Sequence, residues 1–92
     1  MPDIELRPIR VGTDSQDKEG RLVMADGELV AVLVRLDDPV HEDERGAWFM
    51  EAGFGRLSDP KGHPVFGDLD EASEWLQTRL KGRPPIIKRA LA

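Results

Sequence analysis

The sequence predicts an α+β domain: an antiparallel meander of three to four strands with one C-terminal helix packed on one face. Three observations carry this. Two apolar runs flank Asp26-Gly27, the strongest short-range signal for a two-residue hairpin with a type I′ turn. A further alternating apolar run, Gly46 to Phe54, follows after a connection too short to hold a crossover helix. The only helical periodicity spans Leu69 to Lys81.

Taken in order, Ile4 to Val11 reads as a strand, with Ile4 and Leu6 on one alternation and Ile9 and Val11 on the other. Pro8 cannot donate a ladder hydrogen bond, which assigns the segment to a sheet edge or gives it a break. Gly12 to Gly20 is polar and turn-rich, a surface loop. The hairpin, Arg21 to Leu36, would place Ala25 opposite Glu28, Met24 opposite Leu29 and Leu22 opposite Ala31. Its second strand is apolar on both alternations: Leu29, Ala31 and Leu33 one way, and Val30, Val32, Val34 and Leu36 the other. Such a strand needs cover on both faces and belongs in the middle of its sheet.

Asp37-Asp38-Pro39 ends that strand, and the acidic stretch to Arg45 is expected to be a mobile connection. In the next strand Trp48, Met50, Ala52 and Phe54 would share one face, and Ala47, Phe49, Glu51 and Gly53 the other. Gly55 to Pro64 reads as a loop with a turn at Asp59-Pro60-Lys61-Gly62, and Val65-Phe66 as a short strand or a packing segment. Asp68 stands at the helix N-cap with Glu71 three residues on, a capping-box spacing. Leu69, Ala72, Leu76 and Leu80 form one stripe with Trp75 on its margin. Acids load the first half and bases the last turn, as the helix dipole favours. Gly82 and Pro84-Pro85 stop the helix.

The whole chain bounds the function. Its 92 residues make one small domain, with residues 1–82 as the folded unit and 83–92 as a basic tail expected to be flexible. With 39% hydrophobic and 34% charged residues it reads as globular, and no apolar run approaches the ~20 residues that span a bilayer. The start does not resemble a signal peptide, and cysteine is absent, which excludes thiol catalysis and thiolate metal sites and fits a cytoplasmic setting. A net charge of −5 argues against generic nucleic-acid binding. The charge is uneven: Asp37 to Arg45 holds five acids and one base, Arg79 to Arg89 five bases and no acid.

Catalytic chemistry is sparse. His41 lies among acids, but the spacing matches no metal-ligand pattern, and His63 precedes Pro64 in a loop. Ser15, Ser58 and Ser73 lack a nucleophile context, and Gly53-Phe54-Gly55 lacks the helix start a phosphate loop needs. Glu51 in mid-strand is expected to face outward. No catalytic residue, cofactor or metal is expected. The aromatics, Trp48, Phe49, Phe54, Phe66 and Trp75, are expected to be mostly core. Two surfaces remain for a partner. One is Trp75, Arg79, Lys81, Arg83, Ile86, Ile87, Lys88 and Arg89, the helix end and basic tail; its plainest state is a frayed terminus, its alternative a docking segment. The other is the row Val30, Val32, Val34 and Leu36, a dimer face if the single helix covers only the opposite side of the sheet.

The run Phe66-Gly-Asp-Leu69-Asp-Glu71-Ala72-Ser-Glu-Trp75-Leu76 resembles the close of small sheet-plus-helix DNA-binding modules, the plant ethylene-response type and the arm-binding domains of tyrosine recombinases. The likeness covers about the last third of the chain and implies a three-stranded sheet backed by the helix. In those families the sheet presents Arg and aromatic side chains to the major groove. Here the hairpin strands offer only Arg21 and Arg35, so the DNA-reading residues do not carry over. As a whole the chain resembles the short uncharacterised one-domain proteins of bacterial genomes, which implies no function. The expectation is a non-enzymatic cytoplasmic protein-interaction module, a homodimer or small adaptor. The alternative is a nucleic-acid-binding accessory domain using the basic end.

Overall fold

The computed structural model describes residues 3–58 and 62–81. Five strands form one antiparallel sheet in the order β1-β2-β3-β4-β5, a simple meander with one helix after the last strand. They are β1 (Ile4–Arg10), β2 (Glu19–Ala25), β3 (Glu28–Arg35), β4 (Trp48–Gly53) and β5 (Val65–Phe66), followed by α1 (Leu69–Leu80). The α+β class is as expected, with five strands in place of three to four. The extra pairing is Trp48 with Phe66 and Phe49 with Val65. Two residues hold no strand by propensity alone; these form one because β4 offers a free edge.

At the hairpin tip Asp26 (φ 52°) and Gly27 (φ 85°) both take positive φ, the type I′ geometry. Ala25 faces Glu28 and Met24 faces Leu29, but Leu22 faces Val32 rather than Ala31. The register shifts after Met24, leaving Val30 as an extra residue on β3. A second shift leaves Glu51 extra on β4, so that Met50 faces Leu33 while Ala52 faces Val32. Each bulge reverses the alternation beyond it. Val30 therefore joins the helix-side core, and Ala52 moves off the face it was expected to share with Trp48 and Met50.

Pro8 sits in β1, which pairs with β2 alone. The amide of Asp26 donates to Asp3 and that of Val11 to Lys18, so the odd-numbered residues of β1 bond β2. Pro8, at an even position, directs its missing N–H to the open edge. It costs the ladder nothing and removes a donor from a strand that would otherwise template another chain.

The core lies between α1 and one sheet face: Val23, Ala25, Ala31, Leu33, Trp48, Met50 and Phe66 meet Ala72, Leu76 and Leu80. Leu69 and Trp75 pack against its margin. Asp68 caps α1 by accepting from the Glu71 amide (2.8 Å), and Glu71 reaches back to the Gly67 amide (2.9 Å). Leu57, in a 3-10 turn (Gly55–Leu57) of the segment expected to be plain loop, is 1% exposed and completes the core. Gly53 makes this possible, since a Cβ there would collide with the Leu57 carbonyl. Phe54 departs from the expectation of buried aromatics, at 49% exposure.

Candidate functional site

Three features of the described residues bear on function. The first is a buried carboxylate. Asp17 Oδ1 accepts from the amides of Asp37 and Asp38, each at 2.7 Å, and Oδ2 lies 2.5 Å from His41 Nε2. The loop that carries it is tied by its own side chains: Thr13 Oγ1 donates to the Asp17 carbonyl (2.9 Å), and the Asp17 amide donates to Ser15 Oγ (3.0 Å). Burial pushes the Asp17 carboxyl up, but the bonds from Asp38, His41 and Asp37, with the charge available on His41, outweigh it and hold the group below its ordinary value.

This clamp corrects the picture of a mobile acidic connection. Pro39–Glu44 forms a 3-10 segment capped by Asp38, whose Oδ1 accepts from the Val40 amide (3.1 Å). Asp37 also receives Arg35 Nε at 3.2 Å. With His41 Nε2 on Asp17 and Ser15 Oγ held within its own turn, the arrangement braces the loop. Among the described residues no three His, Cys, Asp or Glu side chains are grouped as metal ligands would be. Asp17 went unrecognised in the sequence because its partners lie 20 to 24 residues away.

The second feature is the sheet face opposite α1. Register places Leu22, Val32 and Ala52 in one cross-strand row and Ile9, Gly20, Val34, Phe49 and Val65 in the next. None of these belongs to the helix-side core. Ile9 and Val65 are 41% and 38% exposed, and Leu22, Val32, Phe49 and Ala52 are half-buried. At one end of this face Arg7 and Glu5 pair with each other at 2.8 Å, and the exposed Glu51 stands at the β4 bulge next to Ala52. The expected row Val30, Val32, Val34 and Leu36 does not survive as a unit. Val30 lies in the core, and Val34 and Leu36 are already buried; only Val32 remains half-open.

The third feature is the end of α1. The Arg79 guanidinium stands 4.9 Å from the centroid of the Trp75 ring, and Trp75 in turn packs on Phe66 at 5.3 Å. Lys81 is exposed. Arg83, Ile86, Ile87, Lys88 and Arg89 lie outside the described residues. On the sheet, Arg21 covers the Trp48 ring at 5.0 Å and Arg35 is engaged by Glu19 and Asp37, so both hairpin arginines are held by the protein itself.

No helix of the described residues is long and apolar enough to cross a membrane. Comparison of the chain with protein-family models, with curated proteins and with solved structures finds no match.

Proposed function

We propose that this chain is a non-enzymatic cytoplasmic interaction module that pairs with a second copy of itself through the sheet face opposite α1. The observation that carries this is the set of partly exposed apolar side chains on that face, Leu22, Val32 and Ala52 in one row and Ile9, Phe49 and Val65 in the next, none of which belongs to the helix-side core. One helix covers one side of a sheet, and a soluble monomer rarely shows a contiguous apolar patch beyond a few hundred Å². A two-fold partner is the economical occupant. The same rows meet themselves at the ~10 Å spacing of stacked sheets, and the Glu5–Arg7 pair leaves no uncompensated charge to bury at that end.

Sedimentation equilibrium at ~0.1–1 mM, well above a micromolar dissociation constant, tests this. The wild type is expected to be dimeric, and Ile9→Lys with Val65→Lys, at positions exposed enough to leave the fold intact, monomeric. A wild-type monomer at ~1 mM, or a dimer indifferent to the double variant, refutes the reading. Salt-sensitive binding of DNA or RNA mapped to Arg79 and Lys81 by a monomer would favour the nucleic-acid alternative.

A further inference from the structure

The helix covers only part of its own side of the sheet. On β1 and β2 the core takes in Ile4, Leu6, Val23 and Ala25 and goes no further. Alternation carries the same face on through Pro8 and Arg10 of β1 and through Arg21 and Glu19 of β2. Pro8 stands opposite Arg21, and Arg10 opposite Glu19. Together with Ile9 they line an open groove of about 370 Å³. That volume falls within the ~300–1,000 Å³ of small-ligand sites.

The groove carries excess positive charge in a chain whose net charge is −5. Arg10 and Arg21 are diagonal neighbours across the strand pair, a separation of roughly 7–8 Å that long side chains bridge. Arg21 is fixed in place: its guanidinium lies 5.0 Å from the centroid of the Trp48 ring, and Nη1 donates to the Gly20 carbonyl at 2.8 Å. A guanidinium carries several N–H donors, so others remain for a ligand. Arg10 is exposed and forms no ion pair among the described residues. Glu19, the one acid of the lining, has Arg35 Nη1 at 3.8 Å on its β3 side. Pro8 and the stems of the two arginines supply apolar surface beside these charges.

We propose that this groove binds a small organic carboxylate with a short aliphatic chain. The Arg10 and Arg21 guanidiniums take the carboxylate, whose planar pair of oxygens matches their forks. The chain lies along Pro8 and the arginine stems. Phosphate also suits two arginines, but it brings no apolar body and sets more negative charge beside Glu19. The groove is on the opposite side of the sheet from the Leu22, Val32 and Ala52 row, so it stands or falls apart from self-association.

Titration of the full chain with sodium hexanoate tests this, followed by the Arg10 and Arg21 Nε–H and Trp48 indole resonances. Saturation is expected with a dissociation constant of about 1 mM, ordinary for a ligand of this size. Acetate, with no chain to bury, should bind about tenfold or more weakly, and inorganic phosphate likewise. Arg10→Gln, at an exposed position, should lower hexanoate affinity about tenfold, and added salt should weaken binding. Arg21→Lys, which keeps the charge and loses the fork, should also weaken it. Glu19→Gln should tighten binding, and Arg7→Gln, on the other face of β1, should leave it unchanged. Shifts that rise without saturation to ~50 mM overturn the proposal. So does hexanoate binding that survives Arg10→Gln undiminished, or phosphate binding as tight as hexanoate's.

Discussion

Removing the Asp17 carboxylate tests the largest piece of tertiary organisation outside the core. Asp17→Ala strips the acceptor from two backbone amides and from His41 Nε2 in a position 9% exposed. Hydrogen bonds to a charged group contribute about 1.5–3 kcal/mol, and the amides left behind gain water only if the loop opens. At ~4–8 °C per kcal/mol for a domain of this size, the melting temperature should fall by roughly 6–24 °C. Urea unfolding followed by Trp48 and Trp75 fluorescence reads the loss. Asp17→Asn, which keeps an oxygen but no charge, should fall between the two proteins. In a His41→Ala background the cost of Asp17→Ala should be smaller, by the coupling energy of the pair. The pH dependence follows from the lowered native pKa. Between that value and the ordinary 3.8 the unfolded chain binds the proton and the folded one does not, so stability rises with pH across the window. The contribution is complete above the ordinary value and is lost as acid titrates the native carboxylate. The variant should therefore show a shallower acid limb. A cost below ~0.5 kcal/mol, or an unchanged acid limb, refutes the clamp.

Two further substitutions probe the core. Leu76 is fully buried under the helix, and Leu76→Ala should cost about 2–5 kcal/mol in the same assay; less than ~1 kcal/mol would contradict its placement. Gly53→Ala drives a Cβ into the Leu57 carbonyl, with the carbonyl carbon at 2.9 Å, and should destabilise by about 1–3 kcal/mol. Gly12→Ala, with nothing within 4 Å, should stay within ~0.5 kcal/mol of the wild type. Equal effects at the two glycines would show that close approach is not what Gly53 provides.

Elements set by local chemistry were legible in the residues. Asp26-Gly27 admits positive φ at both turn positions, Pro8 excludes an interior strand, and the stripe with its Asp68 cap needs no distant partner to define α1. The sequence also announced a strand with two apolar faces and a single helix to cover them. It did not announce which residues end on which face. That depended on two one-residue bulges, at Val30 and Glu51, and a shift of one position reverses every side chain beyond it. Bulge positions reflect how β2, β3 and β4 settle against α1 and Leu57, an energy shared among segments and written in none of them. β5 likewise exists only through its pairing with β4. Asp17 is the clearest case. Its own neighbours mark it as a polar loop residue, and its role comes from amides and an imidazole 20 to 24 residues away that only the folded chain brings to it. Local conformational preference is a property of a few adjacent residues and can be read along the chain. Desolvation and long-range hydrogen bonding depend on what the fold places nearby, and for that the tertiary structure decides.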